Sequence, residues 1–350
     1  MIEAKENSRL DCYFAASNSF LGFRNHFQEV FNPKKFDRLF LLKGGPGTGK
    51  SSLMKRVLGA FLDTCLCEAI YCSSDNKSLD GVIFETEKGR VAVFDSTPPH
   101  LDDPRLPGAI DEIVNIGDGW DRRSLTAHKE EIIELNEKKS ELYQSAYAFL
   151  NMCGAIKSEK RRIIKRLYDN SDERVINELL SKITNIKYSR KKETRLLSSF
   201  SKDGYYTLKP RKRDIEITVL GENESKYIFL DKLVLQAEKC GFDCVKFPSP
   251  LSSDYTDAVL IGNAFLSINH TYQNVISTDS FVTFDNEYER KTLQCLEKHE
   301  TELLTEAQRA FSLAFDYHIS LEKIYTANMN FDRNLQISEY LISSIREIIL

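Results

Sequence analysis

A glycine-rich run near residue 44 carries the most specific chemical signal in the sequence. Its residues Gly44-Gly45-Pro46-Gly47-Thr48-Gly49-Lys50-Ser51 fit the pattern G-x4-G-K-[ST], and Ser52 follows. Glycines let a backbone come so close to a phosphate that several N–H groups point at it. A lysine at this place neutralises the β- and γ-phosphates, and the next hydroxyl is a ligand for Mg²⁺. The run therefore predicts a loop that binds the phosphates of a nucleoside triphosphate.

Two residues further along the chain are candidates for the rest of this site. Asp95 follows the apolar run 91–94, so we expect it at the carboxyl end of a buried strand, where it can hold Mg²⁺ together with Ser51. Ser96 stands next, where many ATPases carry a glutamate that polarises water, so the general base is not indicated. His100 is a candidate to face the γ-phosphate, although a loop histidine is more often polar surface. The predicted catalytic residues are Lys50, Asp95 and His100.

The segment between these motifs gives information about the acceptor and about which nucleotide base is bound. Asp75 and Asp80 follow a predicted strand, so either one could orient water or an acceptor hydroxyl, or simply cap a turn. GTP-specific proteins usually carry Asn-Lys-x-Asp after the Asp95-type strand. Here Asn76-Lys77-Ser78-Leu79-Asp80 is one residue too long and precedes Asp95. This favours ATP over GTP.

The residues on either side of the glycine-rich run predict the strand and the helix that would hold such a loop. Residues 38–42 read as a short buried strand, and the apolar residues after Lys50 recur at helical spacing. Runs at 69–72 and 91–94 read as further strands. The order strand, helix, strand, strand predicts an α/β domain with a parallel sheet flanked by helices. A long helical stretch is expected from about 125 to 152, with more helix to about 198.

The second half of the chain repeats the first. Residues 215–220 match the strand before the glycine-rich run, and 221–226 match 45–50 without a gap. Residues 199–213 read as a linker, which gives predicted domains 1–205 and 206–350. The second loop carries Glu222 and Glu224, which would repel phosphates, Tyr227 replaces Ser51, and Ser267 or a neighbour replaces Asp95. We expect this second domain to be degenerate.

Composition and charge bound the remaining possibilities. The 350 residues include no secretory signal and no apolar run that could span a bilayer, so we expect a cytoplasmic protein without a membrane partner. The eight cysteines show no standard zinc spacing. Residues 157–213 contain 18 Lys and Arg against 7 Asp and Glu. We interpret this excess as a solvated helical face that also complements the acidic remainder of the chain; a nucleic-acid surface is possible but not favoured.

Six segments of the chain carry a resemblance: residues 43–52, 72–75, 78–82, 94–100, 107–113 and 117–121. Together they resemble a family of bacterial tandem P-loop proteins. The family is seen mainly in spore-forming Gram-positive lineages, and its members are usually labelled only as ATPases or nucleotide-kinase-like proteins. The resemblance covers nearly the whole chain and implies the P-loop NTPase fold twice per chain. In the family the second half often looks like a working P-loop as well, and this sequence departs from that pattern.

The expected function is that of a P-loop ATPase with ATP and Mg²⁺ as its cofactors. The first domain would hydrolyse ATP or switch on it, and an arginine such as Arg161 or Arg162 would complete its site. A small-molecule or nucleotide kinase is the first alternative, because a glutamate after Asp95 is lacking. A nucleotide-gated binding module with a basic surface is the second. The acceptor or protein partner is not indicated by the sequence.

Overall fold

Buried apolar strands and amphipathic helices build two mixed β-sheets with helices packed on them, so the protein belongs to the α/β class. The computed structural model describes residues 9–100, 103–169, 171–188 and 194–350. The strands are β1 (Leu10–Phe14), β2 (Ala16–Ser19), β3 (Gly22–Asn25), β4 (Arg38–Lys43), β5 (Leu66–Tyr71), β6 (Leu79–Glu85), β7 (Arg90–Asp95), β8 (Asp111–Asn115), β9 (Ser198–Ser201), β10 (Gly204–Thr207), β11 (Ile215–Leu220), β12 (Cys244–Pro248), β13 (Thr256–Ile261), β14 (Ala264–Ser267) and β15 (Asn274–Ser277). The helices are α1 (Phe27–Val30), α2 (Lys50–Gly59), α3 (Arg122–Ala127), α4 (Lys129–Leu167), α5 (Asp172–Lys182), α6 (Ser225–Lys239), α7 (Glu287–Ala327) and α8 (Asp332–Ile349).

The first sheet has the strand order β1-β5-β6-β7-β4-β8. Strand β4 lies parallel to β7 and β8, so the ends of β4 and β7 meet at one edge of the sheet. The predicted all-parallel sheet is wrong at β6, which runs antiparallel to both of its neighbours. The reason is the length of its connections, because residues 72–78 and 86–89 are too few for the crossover that a parallel neighbour needs.

The second sheet has the order β12-β13-β14-β11-β15, and each pairing has the direction of its counterpart in the first sheet. This is the arrangement that an internal repeat predicts. The linker predicted at 199–213 is wrong over β9 and β10, which form a buried hairpin like that of β2 and β3. The sequence did not predict this hairpin, because the run Ser198-Ser199-Phe200-Ser201 is mostly polar. These residues are buried because they meet the first hairpin, where Asn18 donates to the Phe200 carbonyl at 2.8 Å.

Helices α4 and α7 form a long antiparallel pair between the two halves. The end of α4 meets the chain that leads into α7, where Thr283 N donates to the Leu167 carbonyl at 3.2 Å. The end of α7 meets the chain before α3, where Asp121 N donates to the Asn328 carbonyl at 2.8 Å. The pair packs through small and aromatic side chains: Ala146, Leu150, Cys153, Ala307, Ala310 and Phe311.

The helices that follow this pair are exchanged between the halves. Helix α5 follows α4 but contributes Ile176 and Leu180 to the core of the second sheet. Helix α8 follows α7 but contributes Leu341 and Ile345 to the core of the first sheet, where they pack with α2. The packing thus crosses the predicted 205/206 boundary in both directions.

Three further properties concern the described residues only. Within them, no helix is long and apolar enough to cross a membrane. All eight cysteines are free thiols; Cys65 and Cys67 are in contact at 3.7 Å between their sulfurs without a bond. Over the same ranges, no group of three or more His, Cys, Asp or Glu side chains is arranged to hold a metal ion.

Candidate functional site

The glycine-rich loop joins β4 to α2 across six residues, 44–49. Gly47 and Gly49 have φ angles of 68° and 83°, a region that only glycine adopts without strain. Gly49 is the N-cap of α2 and provides no side-chain cap, so the first N–H groups of the helix receive none of the usual capping bonds from it. The loop therefore places free backbone donors and the positive end of a helix dipole at one point.

Lys50 connects this loop to the end of β7. Its ammonium donates to the carbonyl of Gly44 and, at 2.9 Å, to that of Gly45. It also lies 3.4 Å from Asp95 Oδ2, and both side chains are nearly buried. The predicted residues Lys50 and Asp95 are thus brought together. An ammonium shared between two carbonyls and one carboxylate can turn towards a stronger anion if one binds at the loop.

Asp95 is held from two sides. It ends β7 opposite Leu42, and its Oδ1 accepts from the backbone N–H of Thr97 at 2.9 Å and from the Thr97 hydroxyl. Burial raises the pKa of Asp95, and the nearby Asp80 charge adds to this; Lys50 and the Thr97 hydrogen bond lower it. The carboxylate therefore depends on neighbouring cations to stay ionised.

Ser51 lies in the first turn of α2, where its Oγ accepts from the backbone N–H of Leu79 at 3.0 Å. That bond ties the loop's helix to β6 and leaves the hydroxyl one more lone pair. Ser51 and Asp95 offer a hydroxyl and a carboxylate oxygen, and hard oxygen ligands of this kind suit Mg²⁺. Ser52, also predicted for the site, is an exposed residue on the outer side of the same turn.

His100 is not a surface residue. It is 6% exposed and stacks on Phe27 with ring centroids 4.3 Å apart, while its Nε2 lies 3.2 Å from Asp80 Oδ2. Burial on its own lowers the pKa of His100, but the charge and hydrogen bond of Asp80, helped by Asp95, raise it overall. Its Nδ1 has no hydrogen-bond partner among the described residues. Asp80, His100, Asp95 and Lys50 thus form one buried charged group.

Asp75, the other acidic candidate, turns away from this group. Its carboxylate accepts from the Ser78 hydroxyl at 2.6 Å and from the Lys77 backbone N–H at 3.4 Å. It therefore organises the turn between β5 and β6, which is the structural role that the sequence left open for it.

The second half of the chain closes over the first loop. A Cβ on Gly47 would lie 2.7 Å from Thr326 Oγ1 and 2.8 Å from the Glu322 carbonyl, both at the end of α7. Asn334 in α8 donates to the Thr48 carbonyl at 2.8 Å. The chain's single tryptophan, Trp120, packs on Gly45 from the other side. None of these four contact residues was predicted from sequence, because they belong to distant elements that only the fold brings to the loop.

The corresponding loop of the second half is built differently. It has four residues, 221–224, between β11 and α6, and the ungapped match to 45–50 is kept where Lys226 contacts Gly221 as Lys50 contacts Gly45. Lys226 still donates to the Gly221 carbonyl, at 3.3 Å. Counting along the matched strands, Ile268 rather than Ser267 takes the place of Asp95. This loop is shorter and lacks the carboxylate.

The basic segment is less solvated than the sequence predicted. Lys157 and Lys160 are 8% and 4% exposed and pair with Glu224 and Glu300. Arg161 pairs with Asp231 of α6 at 2.7 Å. The expectation that Arg161 or Arg162 completes the first site is wrong, because this part of α4 lies over the second half, and Arg162 pairs with Glu159 on the surface.

A separate cavity of about 310 Å³ lies between β1, β5 and β12, and no residue of the glycine-rich loop lines it. Two of its three arginines have ion-pair partners: Arg195 pairs with Glu68 at 3.0 Å, and Arg211 with Asp11 at 2.8 Å. It has neither a glycine-rich loop nor a helix terminus, so we regard the loop at Lys50 as the better candidate site.

No profile of a known protein family matches this chain, and neither a curated protein nor a solved structure is significantly similar to it.

Proposed function

We propose that the first half of the chain binds Mg-ATP at the glycine-rich loop and is an ATPase with a P-loop NTPase fold. The observation that supports this best is the position of Lys50, between two loop carbonyls and Asp95 at the start of α2. The loop backbone and the helix terminus would bind the β- and γ-phosphates, and Lys50 would neutralise them. The family resemblance of 43–52 and 94–100 agrees with this proposal.

Magnesium would be held by the Ser51 hydroxyl and the Asp95 carboxylate. When bound, the ion would neutralise charge on the phosphate oxygens. The chain's own part is to keep Asp95 ionised beside Lys50 and to hold Ser51 against β6. Asp80 and His100 provide a buried pair that can take or return a proton at the same edge of the sheet. The second half would serve as a degenerate partner that covers the loop.

A kinase is the second candidate. Ser96 is fully buried after Asp95, and its carbonyl accepts from Lys43 at 2.8 Å, so no carboxylate stands there to activate water. The absence of that group fits transfer to an acceptor hydroxyl. A nucleic-acid-binding module is less well supported, because Lys157, Lys160 and Arg195 are buried and ion-paired.

Nucleotide turnover separates these functions. Purified protein would be incubated with Mg-ATP, alone and with nucleosides and nucleotides as acceptors, while free phosphate and ADP are both measured. We expect phosphate release that falls by about 100-fold in Lys50→Ala, the usual cost of losing a group that stabilises transferred charge. Lys55→Ala is the matched control, since Lys55 is exposed on the same helix and bonds only to the Lys77 carbonyl.

Two other results would point away from an ATPase at this loop. ADP formed only with an acceptor, without free phosphate, would make the protein a kinase. Equal turnover in wild type and Lys50→Ala would show that the activity does not come from this loop and would contradict the proposal.

A further inference from the structure

Helices α4 and α7 correspond residue by residue, which makes the second loop an internal comparison for the first. Their ends make the same backbone contact, since Leu167 accepts from Thr283 as Asn328 accepts from Asp121. Both helices are uninterrupted, so positions counted back from these two residues correspond. The buried positions agree in register: Ala146 with Ala307, Leu150 with Phe311, Cys153 with Ala314, and Lys160 with Leu321.

Two carboxylates, those of Glu224 and Glu300, lie at the second loop where the first loop would hold phosphates. Glu224, the N-cap residue of α6, is 2% exposed and lies 3.3 Å from both Lys157 and Lys160. Glu300 of α7 pairs with the same two lysines, at 3.6 and 2.7 Å. The cations that α4 brings over this loop are therefore neutralised by the protein's own anions.

The roof of the first loop lacks both lysines of the second, since their counterparts on α7 are His318 and Leu321. Glu224 matches Thr48 of the first loop, so its carboxylate has no counterpart there. Lys139 of α4 corresponds to Glu300 of α7. Lys139 lies 28 residues before Leu167, and Glu300 lies 28 residues before Asn328. Lys139 is half-buried and donates to Asn136 Oδ1 at 3.2 Å; within the described residues it forms no ion pair. A cation therefore stands where the second half has the carboxylate of Glu300.

The position of Lys139 relative to the loop is given by His318. Its helix turn touches the loop, because the Glu322 carbonyl and Thr326 lie against Gly47. Burial lowers the pKa of His318; Glu322, 3.6 Å away, raises it, as does Asp75, and the charges of Lys139 and Lys50 lower it further. The stretch of α4 around Lys139 lies beside this turn of α7, because the ammonium of the neighbouring Lys138 is 5.9 Å from the ring of Tyr317.

We propose that Lys139 is a second cation of the site and holds the terminal phosphate of a nucleoside triphosphate bound at the glycine-rich loop. The proposal rests on the proposed function and extends it to a residue outside the motif. The bound γ-phosphate takes the place that the Glu224 carboxylate occupies in the second half, and Lys139 takes that of Glu300. A diphosphate, which lacks that group, gains little from Lys139. Lys139 therefore makes the site prefer triphosphates to diphosphates.

The test is the ratio of the dissociation constants for Mg-ADP and Mg-ATP, measured by calorimetry. Lys139→Glu reproduces the residue of the second half, and glutamate has nearly the helix propensity of lysine. Lys139→Gln removes the charge while keeping a long polar side chain. Lys138→Glu is the matched control, because Lys138 is the exposed neighbour of Lys139, pairs with Glu134 and has its ammonium 5.9 Å from the Tyr317 ring. Circular dichroism and urea unfolding would show that each variant is folded.

We expect Lys139→Glu to weaken Mg-ATP binding by about 10-fold or more and Mg-ADP binding by less than about 3-fold, as for the loss of one hydrogen bond between charged groups. Lys139→Gln should show a smaller change in the same direction, and Lys138→Glu none. A wild-type ratio in both Lys139 variants, with Lys50→Ala still abolishing binding, would overturn this proposal alone. Failure of the wild type to bind either nucleotide would overturn the proposed function and this proposal with it.

Discussion

At the scale of single residues, the pair of His100 and Asp80 links the loop to the rest of the sheet. Phe27 covers one face of the imidazole, and Asp80 lies at the start of β6 beside Asp95. A buried ion pair of this kind gives little net stability but is costly to break on one side only, because the remaining charge is left unpaired. The pair should therefore be visible in the pH dependence of unfolding.

We predict that replacing His100 by Gln lowers stability most in acid. The pKa of His100 is raised in the folded protein, so the pair contributes fully below about pH 6.5, the usual value for histidine, and is lost as pH rises through the folded pKa. The groups that face His100 are Asp80, Asp95 and Lys50. The difference in unfolding free energy from wild type should be about 1–3 kcal/mol near pH 6 and clearly smaller near pH 9.

Urea unfolding at a series of pH values measures this difference. His299→Gln is the control, because His299 is exposed on α7 and its change should stay within about 0.5 kcal/mol throughout. A wild-type-to-His100→Gln difference that grows with pH would contradict the charged pair.

The individual residues were predictable to different degrees. The motif predicted Lys50 and Ser51, because phosphate and magnesium binding restrict residue type and spacing together, and the apolar run 91–94 predicted Asp95 at the end of a strand. His100 was named as a candidate without an expectation that it would be buried, since neither the stacking on Phe27 nor the pairing with Asp80 follows from local sequence. Lys139 carried no sequence signal, because its partner is a loop nearly ninety residues earlier in the chain.

At the scale of elements, the covering of the loop depends on α7 and α8. Helix α7 presents Thr326 and the Glu322 carbonyl to Gly47, and α8 presents Asn334 to Thr48. Beyond the loop, α8 packs Leu341, Ile345 and Ile349 against α2. The last helix in the sequence is therefore part of the core beneath the first loop.

We predict that Ile345→Ala destabilises the first half of the chain. Ile345 is fully buried in the core around α2, and truncating a buried isoleucine to alanine costs about 2–5 kcal/mol. Urea unfolding followed by Trp120 fluorescence measures it, since this tryptophan packs on Gly45. Leu335→Ala is the control on the same helix, because Leu335 is 48% exposed and should change the midpoint little. Equal midpoints for the two variants would contradict the packing of α8 on the first half.

Among the elements, β4 and α2 were predictable because a buried run and a helical apolar spacing flank the motif. The direction of β6 was not, since the periodicity of a strand carries no information about its partner. The hairpin of β9 and β10 was mistaken for a linker, because three of the four buried residues of β9 are serines that contact with the other hairpin covers.

At the scale of the whole molecule, the two halves are joined because each packs one of its helices on the other. Phe14 and Leu196 pair where the halves meet, and each half gives the other one helix, α5 or α8. The second loop is filled by Glu224 and Glu300, while at the first Lys139 of α4 stands in the place of Glu300. In this account only the first half binds nucleotide, and the second half supplies the helices that cover it.

The most direct test of this account is a calorimetric titration of the full chain with Mg-ATP, with wild type beside Lys50→Ala. The account predicts one binding site per chain in the wild type. It also predicts an affinity at least about 10-fold weaker in Lys50→Ala, because an ammonium that contacts phosphates contributes about 1.5–3 kcal/mol. Two sites per chain would contradict the assignment of the second loop as degenerate. No binding, or equal binding by both proteins, would contradict the claim that the glycine-rich loop is a nucleotide site.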